Sequence, residues 1–401
     1  MAITDKKQGV WDTWDVYNKA NQGDWTYAPD PVGLWTMGRN SYGGLGQNTQ
    51  SNDGLSSPTQ VGSMPAPGEQ WISATSGDYF VGGVKTDGTL WSWGYAQGGC
   101  LGLNESAVSY SSPVQVGAGT DWLEAWSINS NGFALKTDGT LYAWGNNNMG
   151  NIGDGTTTQR SSQIQLPGDW SGCDVRGSFR RSGILKSDGT LWVWGDGGNG
   201  RLGFNNQTDY SSPKQLPAGS GKTWVNYAAS GNTMFAAKDD GTMWAWGAGQ
   251  GYALTGSNAN YSSPFEMPGT GWGGPIVAFG QGGLAIKASG PKAGGLYSWG
   301  TPGTNDRSGI LGQNMTQVSA AAQPVGEEAS DFTWSSIQCT SNGAIHGFKT
   351  DGTLWTWGGN GYGMLGLNEG PNSEYSSPVQ LPGNWNAQGN RGQGYVSMLL
   401  K

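Results

Sequence analysis

The stretch KTDGTLWSWG at residues 85–94 decides the fold, because the chain repeats it. Five copies retain the Asp-Gly pair, and the other four of these read LKTDGTLYAWG (135–145), LKSDGTLWVWG (185–195), KDDGTMWAWG (238–247) and FKTDGTLWTWG (348–358). Two divergent copies, VGLWTMG (32–38) and GGLYSWG (294–300), bring the total to seven. The final glycines of successive copies are 50 to 58 residues apart. A period of about 50 residues is typical of propeller blades or of repeat arrays.

Each unit contains the signals of four short strands. It opens on a Trp and reaches a Lys 14 to 16 residues later, across a stretch of small and apolar residues. The Asp-Gly pair that follows is a hairpin signal, because both residues tolerate positive φ. The LWSWG segment alternates in strand periodicity. A Gly/Asn-rich turn then leads to an extended segment such as YSSPVQV (110–116), whose proline suits an outer edge strand.

The two ends of the chain complete one another. The first copy, at 32–38, lacks the Trp-to-Lys stretch before it, and WNAQGNRGQGYVSMLLK (385–401) lacks the copy that should follow. Together they make one ordinary unit, so the C-terminal strands should pair with the N-terminal strand and close a ring that has no free sheet edge. The sequence therefore predicts an all-β, seven-bladed β-propeller of four-stranded blades over 31–401, preceded by a short N-terminal extension over 1–30.

The repeat resembles that of the regulator of chromosome condensation family, in its run L-K-x-D-G-x-L-W-x-W-G followed by a Gly-rich turn. The resemblance covers about 33–401 and implies a seven-bladed propeller. Members of that superfamily include a nucleotide exchange factor, a plant ultraviolet receptor and a bacterial inhibitor of β-lactamase. They share a disc-shaped binding surface, and the fold alone does not settle function.

Charge argues against several classes of partner. The chain has a net charge of −8 and a pI near 4.7, with 21 Lys plus Arg and no basic run, so we expect no nucleic-acid binding. We expect no signal peptide and no membrane insertion, because the chain has neither an apolar leader nor an 18-residue apolar run. Cys100, Cys173 and Cys339 occupy unrelated repeat positions, which indicates buried thiols rather than disulfides.

Residues for catalysis are scarce. His346 is the only histidine and falls in the strand AIHGFK (344–349), where a structural role is favoured over a catalytic one. The repeated aspartates occupy hairpin positions and are interpreted as turn residues. No calcium loop, zinc set or phosphate loop is present. We therefore predict no catalytic residue, no metal site and no cofactor, and we interpret the chain as a non-enzyme.

The segment 1–30 has more aromatic surface than a free tail would expose. Trp11, Trp14 and Tyr17 would share one face of a short helix. The segment either packs under its own propeller or binds another protein. For the second case the predicted contact residues are Val10, Trp11, Trp14, Tyr17, Trp25 and Tyr27. The pattern Gly9-Val10-Trp11, Val16-Tyr17 and Trp25 also resembles a segment near the start of marine bacteriophage appendage proteins.

Residues that break the repeat are the second set of candidates for partner contact. They are Arg176, Arg180 and Arg181 in the fourth copy of the repeat and Arg307 in an insertion of the divergent sixth copy. Tyrosines recur in the Gly-rich turns (Tyr42, Tyr95, Tyr252, Tyr362) and before the edge strands (Tyr110, Tyr210, Tyr261, Tyr375). These rings either pack blade against blade or line a rim that takes a sugar or a protein.

These features lead to two hypotheses. The first is an accessory protein of a phage particle, made in the host cytoplasm and located in the virion. It would be bound to capsid or tail proteins through its N-terminal segment, and it could contact a host-surface protein or glycan. The second is a soluble inhibitor or scaffold that binds one protein through a disc face.

Overall fold

The computed structural model describes residues 33–62, 69–178, 180–248, 259–301, 309–313, 319–325, 333–340, 343–370, 373–383, 385, 390–392 and 394–400. The six predicted contact residues of the N-terminal segment, together with Tyr252 and Arg307, lie outside these ranges.

Strands make up almost all the regular structure of the described residues. The chain begins with two strands of the blade that closes the ring, β1 (Leu34–Gly38) and β2 (Leu55–Gln60). Blades I to III follow, and each contributes four strands in chain order. Blade I is β3 (Trp71–Ser76), β4 (Phe80–Lys85), β5 (Leu90–Gly94) and β6 (Tyr110–Gln115). Blade II is β7 (Trp122–Ile128), β8 (Asn131–Lys136), β9 (Leu141–Gly145) and β10 (Arg160–Leu166). Blade III is β11 (Asp174–Ser178), β12 (Arg181–Leu185), β13 (Leu191–Gly195) and β14 (Tyr210–Leu216).

Blades IV to VI have the same order. Blade IV is β15 (Trp224–Ser230), β16 (Thr233–Lys238), β17 (Met243–Gly247) and β18 (Tyr261–Met267). Blade V is β19 (Trp272–Phe279), β20 (Gln281–Lys287), β21 (Leu296–Thr301) and β22 (Ser319–Pro324). Blade VI is β23 (Trp334–Cys339), β24 (Ala344–Lys349), β25 (Leu354–Gly359) and β26 (Glu374–Leu381). Two further strands end the chain, β27 (Asn390–Gly392) and β28 (Val396–Leu400). Short 3-10 turns lie at Gln97–Gly99, Gly198–Gly200 and Gly361–Gly363.

Ring closure follows the prediction. In the closing blade, VII, β1 pairs antiparallel with β2 on one side and with β28 on the other, from Leu34↔Leu400 to Gly38↔Val396. The predicted seven-bladed propeller with joined termini is thereby confirmed.

The innermost strand of the closing blade differs from its equivalents. β27 pairs in parallel with β3 of blade I, so the described residues give blade VII three strands and blade I five. The reason is close approach, because the Ser76 hydroxyl donates to the Val396 carbonyl at 3.0 Å. Gly394 also lies so near the Gly77 carbonyl that a Cβ would overlap it.

The core lies between blades rather than within them. Seven buried clusters each combine side chains of two neighbouring blades, and together they cover every interface of the ring. A four-stranded blade has an apolar face that only a neighbour can cover, which is why a closed ring forms.

In five blades the second Trp of the repeat donates a hydrogen bond to a loop carbonyl of the preceding blade. Trp93 Nε1 donates to the Gly44 carbonyl at 2.9 Å, and Trp194 Nε1 donates to the Asn151 carbonyl at 2.9 Å. Trp144, Trp246 and Trp357 make the equivalent bonds at 2.8 to 3.1 Å. In these five blades the last glycine of the preceding loop turn, such as G-N-I-G (150–153), leaves room for this ring. At Gly153 a Cβ would lie 2.8 Å from Trp194 Nε1.

The Asp-Gly turns fold as predicted. Asp87 Oδ1 accepts the backbone N–H of Thr89 at 3.0 Å and its hydroxyl at 2.6 Å, and Thr89 Oγ1 accepts Trp91 Nε1 at 2.7 Å. The same Asp-to-Thr bonds recur at Asp138, Asp188, Asp240 and Asp351. These bonds lower the pKa of Asp138 and Asp188, as expected for carboxylates used as turn acceptors.

Candidate functional site

The antiparallel strands give the propeller two different faces. The Asp-Gly hairpins and the links between blades lie at one end of the strands, which we call the hairpin face. The turns between the first and second strands, together with the Gly-rich loops after the third strand, lie at the other end, which we call the loop face.

Five tyrosines and one arginine meet on the loop face beside the ring-closing seam. Blade VII supplies residues from the loop after β1 and from the approach to β28, blade I supplies two residues and blade VI supplies one. We call this group the tyrosine patch, and its members are Arg39, Tyr42, Tyr79, Tyr95, Tyr362 and Tyr395, all of them partly exposed.

Tyr79 lies at the centre of the patch. Its ring stacks on Tyr395 with centroids 5.0 Å apart and an interplanar angle of 15°. It meets Tyr42 edge-on at 5.3 Å and Tyr95 at 5.9 Å, while Tyr42 and Tyr95 contact each other at 4.3 Å. Partial burial raises the pKa of both Tyr95 and Tyr395, so both hydroxyls are protonated at neutral pH. Offset and edge-to-face aromatic pairs of this kind contribute about 0.5–1.5 kcal/mol each.

Arg39 lies over three of these rings. Its Cζ is 4.9 Å from the Tyr362 centroid, 5.2 Å from Tyr79 and 5.4 Å from Tyr395. Its Nε donates to Ser41 Oγ at 2.8 Å. The guanidinium is therefore held in a fixed orientation by cation–π contacts and one hydrogen bond.

Tyr362 has a strained backbone. Its φ is +62°, in the left-handed region, where the equivalent loop positions of blades I and III have Gly98 (φ +78°) and Asn199 (φ +57°). A bulky residue there costs on the order of 1–3 kcal/mol, and such strain concentrates at binding sites. The chain tolerates this strain at the point where the Tyr362 ring lies against Arg39.

The hairpin face has a different repeated feature. The Lys at the end of each second strand lies over the opening Trp of its blade, and in most blades also over the first aromatic of the third strand. The Lys–Trp pairs are Lys85–Trp71, Lys136–Trp122, Lys186–Trp170, Lys238–Trp224, Lys287–Trp272 and Lys349–Trp334, with Nζ 4.7 to 5.7 Å from the Trp ring. Because the same contact occurs in all six blades, we interpret it as part of the blade architecture.

The first strands of blades I to VI surround a small cavity on the propeller axis. Its volume is about 110 Å³, and Thr75, Trp126, Arg176, Ala229 and Gln338 are among its lining residues. The Arg176 guanidinium at its wall is already engaged. Nε donates to Asp174 Oδ2 at 2.8 Å, while Nη1 donates to the carbonyls of Tyr227 at 2.7 Å and Ile276 at 3.0 Å. Arg176 therefore links three blades around the axis.

The sequence-based prediction that Arg181 contacts a partner is wrong. The prediction placed it on a contact surface, but the structure buries it to 1% exposure. Its guanidinium donates to the carbonyls of Ser230, Gly231 and Thr233 in blade IV at 2.8 to 3.1 Å. Burial lowers its pKa to about 9. Arg181 therefore joins blades III and IV and is not available to a partner.

Arg180, next to Arg181, is exposed on the loop face with φ +64°. The structure thus separates the predicted arginines. Arg180 faces solvent, Arg176 lines the axis and Arg181 is internal.

His346 and the three cysteines are buried inside the propeller. His346 is 1% exposed, its Nε2 is 3.1 Å from Ser397 Oγ, and burial lowers its pKa to about 4. Cys100, Cys173 and Cys339 are buried and form no disulfide. Among the described residues no three His, Cys, Asp or Glu side chains lie close enough together to bind a metal ion. No helix in the described part of the chain has the length and apolarity needed to cross a membrane.

Sequence reasoning found half of the tyrosine patch. Tyr42, Tyr95 and Tyr362 were singled out as turn tyrosines, whereas Arg39, Tyr79 and Tyr395 were not. The signal that could have found them is the predicted ring closure, since Arg39 directly follows the first closing strand and Tyr395 directly precedes the last one. The edge tyrosines remain apart from the patch. The hydroxyls of Tyr110 and Tyr375, for example, donate to Glu105 and Glu369 of their own loops at 2.5 and 2.7 Å.

Comparison with known proteins matches two stretches of the chain to a family model. Residues 188–237 and 351–387 match the regulator of chromosome condensation (RCC1) repeat. The human E3 ubiquitin-protein ligase HERC2 is 27% identical over 353 residues, which are 86% of this chain and 7% of the ligase. The regulator of chromosome condensation of Xenopus laevis is 28% identical over 144 residues, 36% of this chain and 34% of that protein. The chain thus spans a small part of the length of the ligase that it matches.

Solved structures share the fold. Human WBSCR16 superposes with a TM-score of 0.76 at 18% identity, covering 92% of this chain and 98% of that one. Prp20p from Saccharomyces cerevisiae superposes with a TM-score of 0.74 at 18% identity, covering 92% and 91%. The chain therefore has the seven-bladed propeller fold of these structures, and two of its stretches are similar to the RCC1 repeat.

Proposed function

We propose that the chain is a binding propeller without catalytic activity, and that it holds a protein partner on its loop face through the tyrosine patch. The observation that carries this proposal is the Arg39 guanidinium, oriented by Tyr79, Tyr362 and Tyr395 from three neighbouring blades. Tyr and Arg are the side chains most enriched at the energetic centres of protein interfaces. The repeated lysines of the hairpin face, by contrast, contact the opening Trp of their own blade in blades I to VI, which we interpret as part of the blade architecture.

Relatives support a binding role. Prp20p, which has the same fold, is a protein with reported binding to Gsp1p and histones. The low identity gives no reason to assign those partners to this chain.

The finer proposal concerns location. We propose that the N-terminal segment, through Val10, Trp11, Trp14, Tyr17, Trp25 and Tyr27, attaches the propeller to capsid or tail proteins of a phage particle, so that the protein is located in the virion. The aromatic content of 1–30 and its resemblance to phage appendage segments support this proposal. A soluble inhibitor or scaffold is the second candidate, and it is favoured by the position of the patch on the propeller itself.

One experiment tests the binding role and separates the two candidates. The baits are the full-length chain, a chain that starts at Asp30, and full-length Tyr79→Ala. Lys214→Gln serves as control because its cation lies over Tyr210 at 4.1 Å on an outer strand, away from the patch. Captured proteins from the native source are identified, purified and remeasured by calorimetry, with circular dichroism and thermal unfolding as a check on folding.

Each outcome has a distinct meaning. A partner that loses at least tenfold in affinity with Tyr79→Ala, and is unaffected by Lys214→Gln, supports binding through the patch. Capsid or tail proteins retained only by forms that contain residues 1–30 support the virion proposal. A partner that binds all four forms equally contradicts both.

A further inference from the structure

We infer that the tyrosine patch recognises a carboxylate, namely a Glu or Asp side chain on the partner protein that inserts against Arg39. This inference rests on the proposed function, because it specifies the chemistry of the same surface.

The first step is the unused hydrogen-bonding capacity of Arg39. Within the described residues its guanidinium makes one hydrogen bond, from Nε to Ser41, and its terminal nitrogens Nη1 and Nη2 donate to no group. Other arginines of the propeller have an acid within reach. Arg160 pairs with Asp154 at 2.8 Å, Arg176 with Asp174 at 2.8 Å and Arg201 with Asp196 at 3.3 Å. Among the described residues Arg39 has no such pair, although three rings hold its guanidinium in place.

The second step is geometry. A planar guanidinium with both terminal nitrogens available matches a carboxylate through two parallel hydrogen bonds. The rings of Tyr79, Tyr362 and Tyr395 fix its orientation before binding, which reduces the entropy lost on contact. These rings would also shield the ion pair from water, and a lower local dielectric strengthens it.

The third step is the charge of the whole chain. A net charge of −8 repels a strongly acidic partner at long range. The patch therefore suits one acidic side chain within a segment that is otherwise neutral, apolar or basic. Proline or aromatic neighbours of the acid would pack on the exposed ring surfaces of Tyr42 and Tyr95, which already contact each other at 4.3 Å.

The test uses two probe peptides that differ only in charge, acetyl-Pro-Glu-Tyr-amide and acetyl-Pro-Gln-Tyr-amide. They are titrated into the full-length protein by calorimetry, which serves every variant, and in the proteins that retain Arg39 the Nε–Hε signal of this residue is also followed by NMR. Hydrogen bonds to charged groups contribute about 1.5–3 kcal/mol, so the Glu peptide should bind at least about tenfold more tightly than the Gln peptide. In Arg39→Gln this preference should disappear, and in Lys214→Gln it should persist.

Three results would overturn the inference. The first is equal binding of the two peptides to the wild-type protein, and the second is a Glu preference that persists in Arg39→Gln. The third is tighter binding of inorganic phosphate than of the Glu peptide at Arg39, which would assign the patch to a phosphate group. Failure here is distinguishable from failure of the proposed function. A partner that no longer binds Tyr79→Ala but still binds Arg39→Gln would support the binding role of the patch and contradict carboxylate recognition by Arg39.

Discussion

The buried histidine should make the stability of the propeller depend on pH within a defined window. His346 lies on β24 and is 1% exposed, with Nε2 at 3.1 Å from Ser397 Oγ. The Ser397 hydroxyl donates to the Met364 carbonyl at 3.0 Å, so the neutral ring donates from Nε2 to Ser397. Protonation would place a second N–H at Nδ1, which has no hydrogen-bond partner among the residues that the structure describes. Burial accordingly lowers the pKa of His346 from 6.5 to about 4.

The sign and size of the effect follow from this lowered pKa. The unfolded chain takes up a proton near pH 6.5, while the folded chain does not until about pH 4. The contribution of the neutral ring to stability is therefore fully present above pH 6.5 and is lost as pH falls from there towards 4. At about 1.36 kcal/mol per pKa unit, the loss across this window is about 3 kcal/mol.

The assay compares the wild-type protein with His346→Gln, which keeps a polar side chain that does not titrate. Urea unfolding is followed by Trp fluorescence from pH 7 to pH 4. The wild-type free energy of unfolding should fall about 3 kcal/mol more than that of the variant, whatever the variant loses at pH 7. Because the chain has a single histidine, its ring gives one NMR signal that reports the folded pKa directly. Parallel pH curves, or a folded pKa near 6.5, would refute the reasoning.

Three further predictions concern residues whose roles the fold defines. Arg181→Ala should lower the free energy of unfolding by about 3 kcal/mol or more, because it opens a cavity and leaves three buried carbonyls without their donor. Arg180→Ala in the same hairpin should cost clearly less, because Arg180 is exposed, and equal losses in urea unfolding would contradict this explanation. Gly88→Ala should cost several kcal/mol, because a Cβ would overlap the Thr120 carbonyl. Gly117→Ala, with a similar φ and nothing within 4 Å of the Cβ, should cost only about 1–2 kcal/mol, and thermal unfolding of the pair checks the difference. Burial raises the pKa of Cys100 to about 12, so the thiol should not react with Ellman's reagent until the chain is denatured; rapid labelling of the native protein would show that it is accessible.

The blade architecture could be predicted from the sequence because each signal in the repeat depends only on residues close to it in the chain. The Asp-Gly turn needs only its own Thr and Trp, as the bonds of Asp87, Thr89 and Trp91 show. Strand alternation and the edge prolines depend on neighbouring positions in the chain. Ring closure was also readable, because the two incomplete ends add up to one unit, and the pairing of β1 with β28 confirmed it. What the sequence predicted about attachment through residues 1–30 remains a prediction.

Tertiary structure alone decided which side chains meet on the surface. Arg39 and Tyr395 lie near opposite ends of the chain and become neighbours only when the ring closes, so no local pattern marks these two members of the patch. The same limit applies to Arg181. From sequence, a charged residue beside a hairpin turn is expected to be exposed, whereas in the structure blade IV supplies three carbonyls that accept hydrogen bonds from its buried guanidinium. The parallel pairing of β27 with β3 depends likewise on where the closing segment crosses blade I. Periodicity fixes the backbone of each blade, whereas a binding face depends on the side chains that non-equivalent blades bring together.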